Sequence, residues 1–488
     1  MDLPHYPPAH RERLLALLAT PPWQEVLTSG LLEEVRRANL APGKPRAFID
    51  AVVAPLLAAN RPQAADLVAA GCRDGAVLLD VLARWPADLG TGREGGRPPL
   101  AFLGLNLTAA CNLAPRCVYC NQPWVRSRVD LAGWKAIVAE ATVPGAGVGP
   151  YIYLTGGEPL TLGEALWGDD GLVAYATARG AGVNVNTNAT LITPRVALAL
   201  VKAGLLRLHI SLDTVDPALH DALRGRPGLS AVLEGIMNVQ LARELVGVDY
   251  PGIHTNCVLT VRSLEAFPAL FAFLLGFRRR TADPQHPLFN DLFPHVIPVG
   301  GSSNDALRPT AEGFRHFYEE VWPQVARRWD EEQAAMGIPQ GKRRTLFGYF
   351  SNPYLRVAHR GGLEAYARSA AEGRYGTLAL ARHCYVAPTQ AAFTPDGAQY
   401  RCGAHAIRHA LPLEDGASAG LYERIAAGLP GLAALPTPEH CDGCALATLY
   451  INQEAEKRLR AEVQALLHGE ESPAQPAAAT VPEALDEI

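Results

Sequence analysis

The chain has 488 residues, 48% of them apolar and 19% charged, with a formal net charge of -5. That length supports two or three domains with cores of their own, and the slight acidity excludes a general attraction to nucleic acid. No apolar run is long enough to span a bilayer, and the N-terminal MDLPHYPP lacks the basic-then-apolar order of a secretion signal, so a cytoplasmic location without a membrane partner is expected.

In chain order, LLALLAT, LLEEVRRANL and AVLLDVLARW carry apolar residues at helical spacing, which predicts an N-terminal helical region over residues 1–95. Residues 88–99, DLGTGREGGRPP, are rich in Gly and Pro and read as a linker. Six short apolar runs then read as strands: AFLGLNL (101–107), YIYLTG (151–156), VNVNTN (183–188), LRLHISLD (206–213), IHTNCVLT (253–260) and HVIPVGG (295–301). Helical patterns such as LAGWKAIVAEA and LEAFPALFAFLLGF separate them. Repeated strand–helix–strand units predict a parallel sheet, open or curved into a barrel, over residues 96–305. In barrels the site forms at the C-terminal strand ends, and here those ends carry Cys, Gly-Gly-Glu, Asn-Thr-Asn and Ser-Leu-Asp. A bridging segment, 306–380, is expected to open with a long helix over 311–333. Residues 381–448 are punctuated by Gly and Pro and hold four cysteines; a final helix is expected over 449–467, within a terminal segment 449–488 whose Pro/Ala/Glu-rich tail is expected to be disordered.

In a reducing compartment the nine cysteines point to metal or redox roles rather than disulfides. Cys111, Cys117 and Cys120 lie in LNLTAACNLAPRCVYCNQ, just past the first strand. Three thiolates on one loop suit an iron–sulfur cluster; a four-iron cubane so held keeps one iron free for another ligand. A zinc ion with a fourth ligand elsewhere is the competing reading.

This loop resembles the radical S-adenosylmethionine (SAM) superfamily, although its first gap is five residues where the family's usual gap is three. The resemblance implies a 4Fe-4S cluster on the three cysteines with SAM bound at the open iron. It implies an α/β fold, a partial (β/α)6 TIM-like barrel with an N-terminal helical region and a small C-terminal cluster-binding domain. It also assigns expected SAM contacts. Tyr119 matches the aromatic position against adenine, and Gly156, Gly157 and Glu158 match the turn that holds the methionine ammonium, a cation that needs acceptors. Asn186, Thr187 and Asn188, with Ser211 and Asp213, match positions that bond the ribose or carboxylate. Arg224 in HDALRGRPG is placed to pair with the methionine carboxylate, or is a surface charge; Asn256 is an adenosine contact or a plain strand-end Asn.

Cys384, Cys402, Cys441 and Cys444 resemble the shortened SPASM, or twitch, extension of such enzymes, in which four cysteines hold one auxiliary 4Fe-4S cluster. A four-cysteine zinc ribbon is the alternative, because Cys441-x-x-Cys444 has zinc-knuckle spacing. His383, His405 and His440 flank these cysteines, and a turn is expected at Pro395-Asp396-Gly397. Cys72 reads as an ordinary thiol, whereas Cys257 is carried as a catalytic candidate, a hydrogen-atom donor if it faces the cavity and a packed core residue if it does not.

The implied activity is that of an oxidoreductase or maturase. SAM is cleaved reductively to a 5′-deoxyadenosyl radical that takes hydrogen from a C–H bond, the cofactors supplying the hard chemistry. The expected partners are an electron donor such as flavodoxin or ferredoxin and a substrate. That substrate is a ribosomally made peptide to be crosslinked, oxidised or epimerised, or a small molecule such as a sugar or nucleotide. A zinc-binding module without redox activity is the remaining alternative.

Overall fold

The computed structural model describes residues 2–85, 100–120, 122, 125–142, 147–299, 302–345, 362–372, 384–400, 402 and 446–473. Its centre is one eight-stranded sheet in the order β6-β5-β4-β3-β2-β1-β7-β8. The strands are β1 (Phe102–Asn106), β2 (Tyr151–Thr155), β3 (Gly182–Thr187), β4 (Arg207–Ser211), β5 (Gly252–Leu259), β6 (Phe293–Pro298), β7 (Gln390–Phe393) and β8 (Gln399–Tyr400). All neighbours run parallel except β8, which returns antiparallel to β7. The six expected strands are all present. β7 and β8 are the additions: β7 leaves the cysteine-bearing C-terminal region and pairs with β1, Phe102 opposite Gln390, and β8 pairs with β7.

Side-chain parity shows why the sheet positions a site. Leu103, Leu105, Ile152, Leu154, Val183, Val185, Leu208 and Ile210 are fully buried on one face, packed in the main core with the helices Pro194–Lys202, Leu229–Val246 and Phe267–Phe277. The opposite face is polar. Tyr153 registers with Asn184 and Asn184 with Arg207; Asn186, His209 and His254 form one row, and Ser211, Asn256 and His295 the next. Parallel strands covered by helices on both faces are apolar throughout. Alternation here means that the second face lines a lumen.

The lumen is stopped at the strand starts by the chain ends. The helices Phe48–Ala69 and Gly75–Leu82 pack with the C-terminal helix Leu446–His468, and their shared core includes Val52, Leu56, Leu79, Ala455, Leu459, Ala101 and Tyr151. Asp74 caps Gly75–Leu82 by accepting from the amides of Ala76 and Val77. Two ion pairs join the ends of the chain: Arg61 Nε–Glu462 Oε1 and Arg458 Nη1–Asp50 Oδ1, both 2.5 Å.

The helix expected over 311–333 is broken into Ala311–His316 and Trp322–Ala335 by a π turn, Phe317–Val321. Pro323, in the first turn of the second piece, has no amide hydrogen to continue the ladder. The final helix begins at Leu446 and ends at His468. The linker 88–99 and the end of the tail, 474–488, lie outside the described residues. No described helix is long and apolar enough to cross a membrane.

Candidate active site

The cysteine loop is seated by backbone contacts. Leu107 N extends the ladder to Thr155 O at 2.8 Å, and Thr108 O and Ala110 O then accept from Gly157 N (2.6 Å) and Glu158 N (2.8 Å). This edge-on approach is what the two glycines permit. A Cβ on Gly156, at φ +141°, would meet Thr108 O at 2.5 Å, and one on Gly157 would meet Ala110 O at 2.2 Å. On its far side the loop is held by Val118 N to Leu223 O at 2.9 Å, Arg116 Nη2 to Ala109 O at 3.0 Å and Asn304 Nδ2 to Tyr119 O at 3.1 Å.

Cys111, Cys117 and Cys120 line one pocket that is open to solvent. Gly157, Glu158, Asn186, Thr187, Asn188, Ser211 and Arg224, all expected from the sequence, line it too. Among the described residues no three His, Cys, Asp or Glu side chains converge on a single-ion site; the three thiols are set around the pocket wall. That donor set, sulfur on one side and amide, hydroxyl and carboxylate on the other, fits a thiolate-held cluster that carries a polar ligand. Burial pushes the free thiols of Cys111 and Cys117 upward, and Arg224 pulls Cys117 back down.

Glu158 is fully buried. Its Oε1 accepts from Thr187 Oγ1 at 2.7 Å and Leu160 N at 3.1 Å, and its Oε2 accepts from Asn188 N at 2.7 Å. The carboxylate therefore ties the end of β3 to the Gly-Gly-Glu turn. Burial raises its pKa to about 6 against the pull of these three bonds. Asn188 Nδ2 reaches Asn112 Oδ1 in the cysteine loop at 2.8 Å, and Asn256 Nδ2 orients Asn186 through its Oδ1 at 2.9 Å. Asn256 acts behind Asn186 and is not itself in the pocket wall.

Several of the expected contact residues have partners within the protein. Asp213, fully buried, accepts from Val258 N at 2.8 Å and from the Tyr119 hydroxyl; neither Tyr119 nor Asp213 lines the pocket. Gly156 lies close against the backbone of Thr108. Arg224, expected to meet a ligand carboxylate, has its Nη2 2.8 Å from Asp213 Oδ2, its guanidinium 5.5 Å from the Tyr119 ring centre and its Nη1 3.8 Å from Cys117 Sγ. Cys257 is corrected outright. Strand parity puts it opposite the lumen-facing Asn256, and it is fully buried in the apolar core with Sγ donating to Asp213 O at 3.5 Å. It has no access to a substrate in the lumen.

Residues the sequence reading passed over are Leu113 and Arg116 in the pocket wall and the lumen histidines. His254 Nδ1 lies 2.7 Å from His295 Nε2, and His209 stacks on His254 at 5.4 Å between ring centres. Burial holds His209 and His254 well below the ordinary histidine range and His295 at about 3, so the three are neutral near pH 7. The period-two spacing of Arg207, His209 and Ser211 was the available signal.

In the C-terminal region, the Pro395-Asp396-Gly397 turn is present, with Gly397 at φ +89° and its amide on Thr394 O at 2.9 Å. Cys384 stands before β7 and Cys402 after β8. Asn452 accepts from Tyr385 N at 2.6 Å and turns Nδ2 toward Cys384 Sγ at 3.9 Å. Cys441, Cys444, His383, His405 and His440 lie outside the described residues. Cys72 packs against the core of the helical cap.

Residues 105–255 match the family model described as the Radical SAM superfamily. An AdoMet-dependent heme synthase of Nitratidesulfovibrio vulgaris is 33% identical over 184 residues, 36% of this chain and 46% of that protein. A mycofactocin maturase of Mycolicibacterium smegmatis is 31% identical over 234 residues, 46% of this chain and 53% of that protein. The chain thus spans about half the length of these curated relatives. Among solved structures, Streptococcus suis SuiB bound to precursor peptide SuiA is 17% identical, with 73% of each chain covered and a TM-score of 0.46.

Proposed function

Residues 105–255 are a radical SAM domain, and from that premise we propose that the protein cleaves SAM reductively and modifies a ribosomally made peptide at a C–H bond. The observation that carries this reading is the set of three cysteines sharing one pocket with the Gly-Gly-Glu turn and the ends of β3 and β4. Cys111, Cys117 and Cys120 would hold a 4Fe-4S cluster. When bound, that cluster supplies the electron that splits the sulfonium into methionine and a 5′-deoxyadenosyl radical. The protein's own part is placement and exclusion of water. An ionised carboxylate has about four lone-pair sites, and three on Glu158 are filled by the protein. Among the described residues no further bond to this carboxylate is made, and the fourth site would take the methionine ammonium. Asn186, Asn188 and Ser211 offer neutral polar contacts beside it, and the helical cap closes the far end of the lumen to solvent.

The peptide reading takes its support from the likeness to the mycofactocin maturase. The likeness to the heme synthase favours a second reading, a small-molecule substrate in the same lumen. The C-terminal Cys384, Cys402, Cys441 and Cys444 would hold an auxiliary 4Fe-4S cluster, with zinc as the competing occupant; iron, sulfide and zinc analysis of a Cys441→Ala/Cys444→Ala variant separates the two. A flavodoxin or ferredoxin would supply electrons.

Reduced, anaerobically purified protein given SAM is expected to release 5′-deoxyadenosine and methionine in equal amounts; release of neither would end the radical reading. A short peptide encoded beside the gene should then return with an altered mass or an altered stereocentre. An unchanged peptide alongside active SAM cleavage would move the assignment to a small molecule.

Glu158 adds a pH dependence. Protonation as pH falls through about 6 turns one acceptor oxygen into a donor, so SAM affinity is expected to fall there. The effect on folding has the opposite sign. The folded state binds this proton more tightly than the unfolded chain, so the group's contribution to stability rises as pH drops from about 6 toward the ordinary value of 4.5. SAM titrations between pH 5 and 8, with the melting temperature recorded alongside, check both. Affinity that stays flat across pH 6 would contradict the assignment.

A further inference from the structure

Arg224 is the most constrained charge at the pocket. It is the last residue of the helix Pro217–Arg224, whose start is capped by Asp216 and whose end turns at Gly225, φ +77°. A Cβ on Gly225 would meet Arg116 O at 2.8 Å, and Leu223 O accepts from Val118 N. The helix end is thus clamped onto the cysteine loop, and the guanidinium has little freedom. Arg224 is only 6% exposed. Its Nη2 is within ion-pair distance of Asp213, but neither Nη2 nor Nε makes an aligned hydrogen bond. Among the described residues, the aligned contact is Nη1 to Cys117 Sγ at 3.8 Å. Asp213, already served by Val258 N and the Tyr119 hydroxyl, anchors the guanidinium without using up that donor.

We propose that Arg224 is a positioning residue that raises the reduction potential of the cluster on Cys111, Cys117 and Cys120 by donating to the Cys117 sulfur, and that Asp213 moderates the effect. This rests on the cluster reading above. Reduction adds negative charge to the cluster and its sulfurs. A donor and a cation at one ligand stabilise the reduced form more than the oxidised form, and the low-dielectric setting enlarges the difference. The expected shift therefore has opposite signs in two variants. Arg224→Gln removes the cation and lowers the potential. Asp213→Asn removes the counter-charge and raises it. Arg224→Lys keeps the charge and stays nearer the wild type than Arg224→Gln.

The test is an anaerobic redox titration followed by electron paramagnetic resonance, with iron content measured for each variant in an Ala background at Cys384 and Cys402. That background removes two of the four C-terminal sulfur ligands, which is enough to prevent a fully ligated second cluster. For Arg224→Gln, the ratio of reduced to oxidised cluster at a fixed potential is expected to fall about tenfold, which is 59 mV for a one-electron couple. An Arg224→Gln protein with full iron and an unmoved potential would overturn the inference. If that variant fails to retain iron, Asp213→Asn and Arg224→Lys decide: a downward shift in the first, or a loss in the second as large as removal of the charge predicts, would equally overturn it. A wild type without any iron–sulfur signal would be a different failure, that of the cluster reading itself.

Discussion

A protein with Cys111, Cys117 and Cys120 all replaced by alanine is expected to fold but to release no 5′-deoxyadenosine, a loss of about 1,000-fold or more, because the electron has no other route to the sulfonium. The fold should survive because the loop is not held by its thiols. Its seating comes from Thr108 O and Ala110 O on one side and Val118 N on the other, and all three cysteines are only partly buried. The melting temperature should therefore move by a few degrees at most, about the shift that 1 kcal/mol gives in a chain of this size. Iron content should fall by one cluster relative to the wild type. Cleavage that persists in the triple variant would show that these cysteines do not deliver the electron.

The second large effect belongs to a residue with no reactive group. Gly157→Val is expected to abolish cluster retention and to cost about 2–4 kcal/mol of stability. The added Cβ would stand 2.2 Å from Ala110 O and 2.8 Å from Ala109 O, backbone atoms of the cysteine loop itself. Relief requires the loop to lift from β2, which breaks the bonds from Gly157 and Glu158 and moves Cys111 away from the pocket. Gly276→Ala is the control. Gly276 lies in the helix Phe267–Phe277 with nothing within 4 Å of an added Cβ, so the change should be neutral or slightly stabilising. Iron content and urea unfolding of the two proteins compare them. A Gly157→Val protein with full iron would refute the close-approach argument.

Much of the site was legible because the polypeptide writes strands in period two and turns in glycine. YIYLTGGEP contains a strand, the glycines that let another backbone approach, and the carboxylate that locks them. What could not be read was where shared groups are spent. Nothing local in HISLD says that Asp213 faces Val258 N and Tyr119 rather than the pocket. Nor does HDALRGRPG say that Arg224 ends beside a sulfur. Such partnerships are made across elements far apart in sequence. Cys257 is a different matter. If Asn256 faces the adenosine, alternation along β5 puts its neighbour on the opposite face, so that reading of Asn256 already favoured the packed alternative for Cys257. β7 escaped notice because QAAF is four residues long and carries no alternation; its strand character comes from the edge that β1 offers it.

Cys111, Cys117 and Cys120 share one pocket wall with Glu158, Asn186 and Ser211, and the proposed function requires them to hold three corners of a cluster and leave the fourth open to SAM. The measurement that addresses it most directly is the paramagnetic resonance spectrum of the reduced protein, in the Cys384→Ala/Cys402→Ala background, before and after addition of SAM. A cluster with an open iron should show a spectrum that changes when SAM arrives and does not change in the triple alanine protein. A reduced cluster whose spectrum is indifferent to SAM would mean that the fourth corner is already taken, and the account would be wrong.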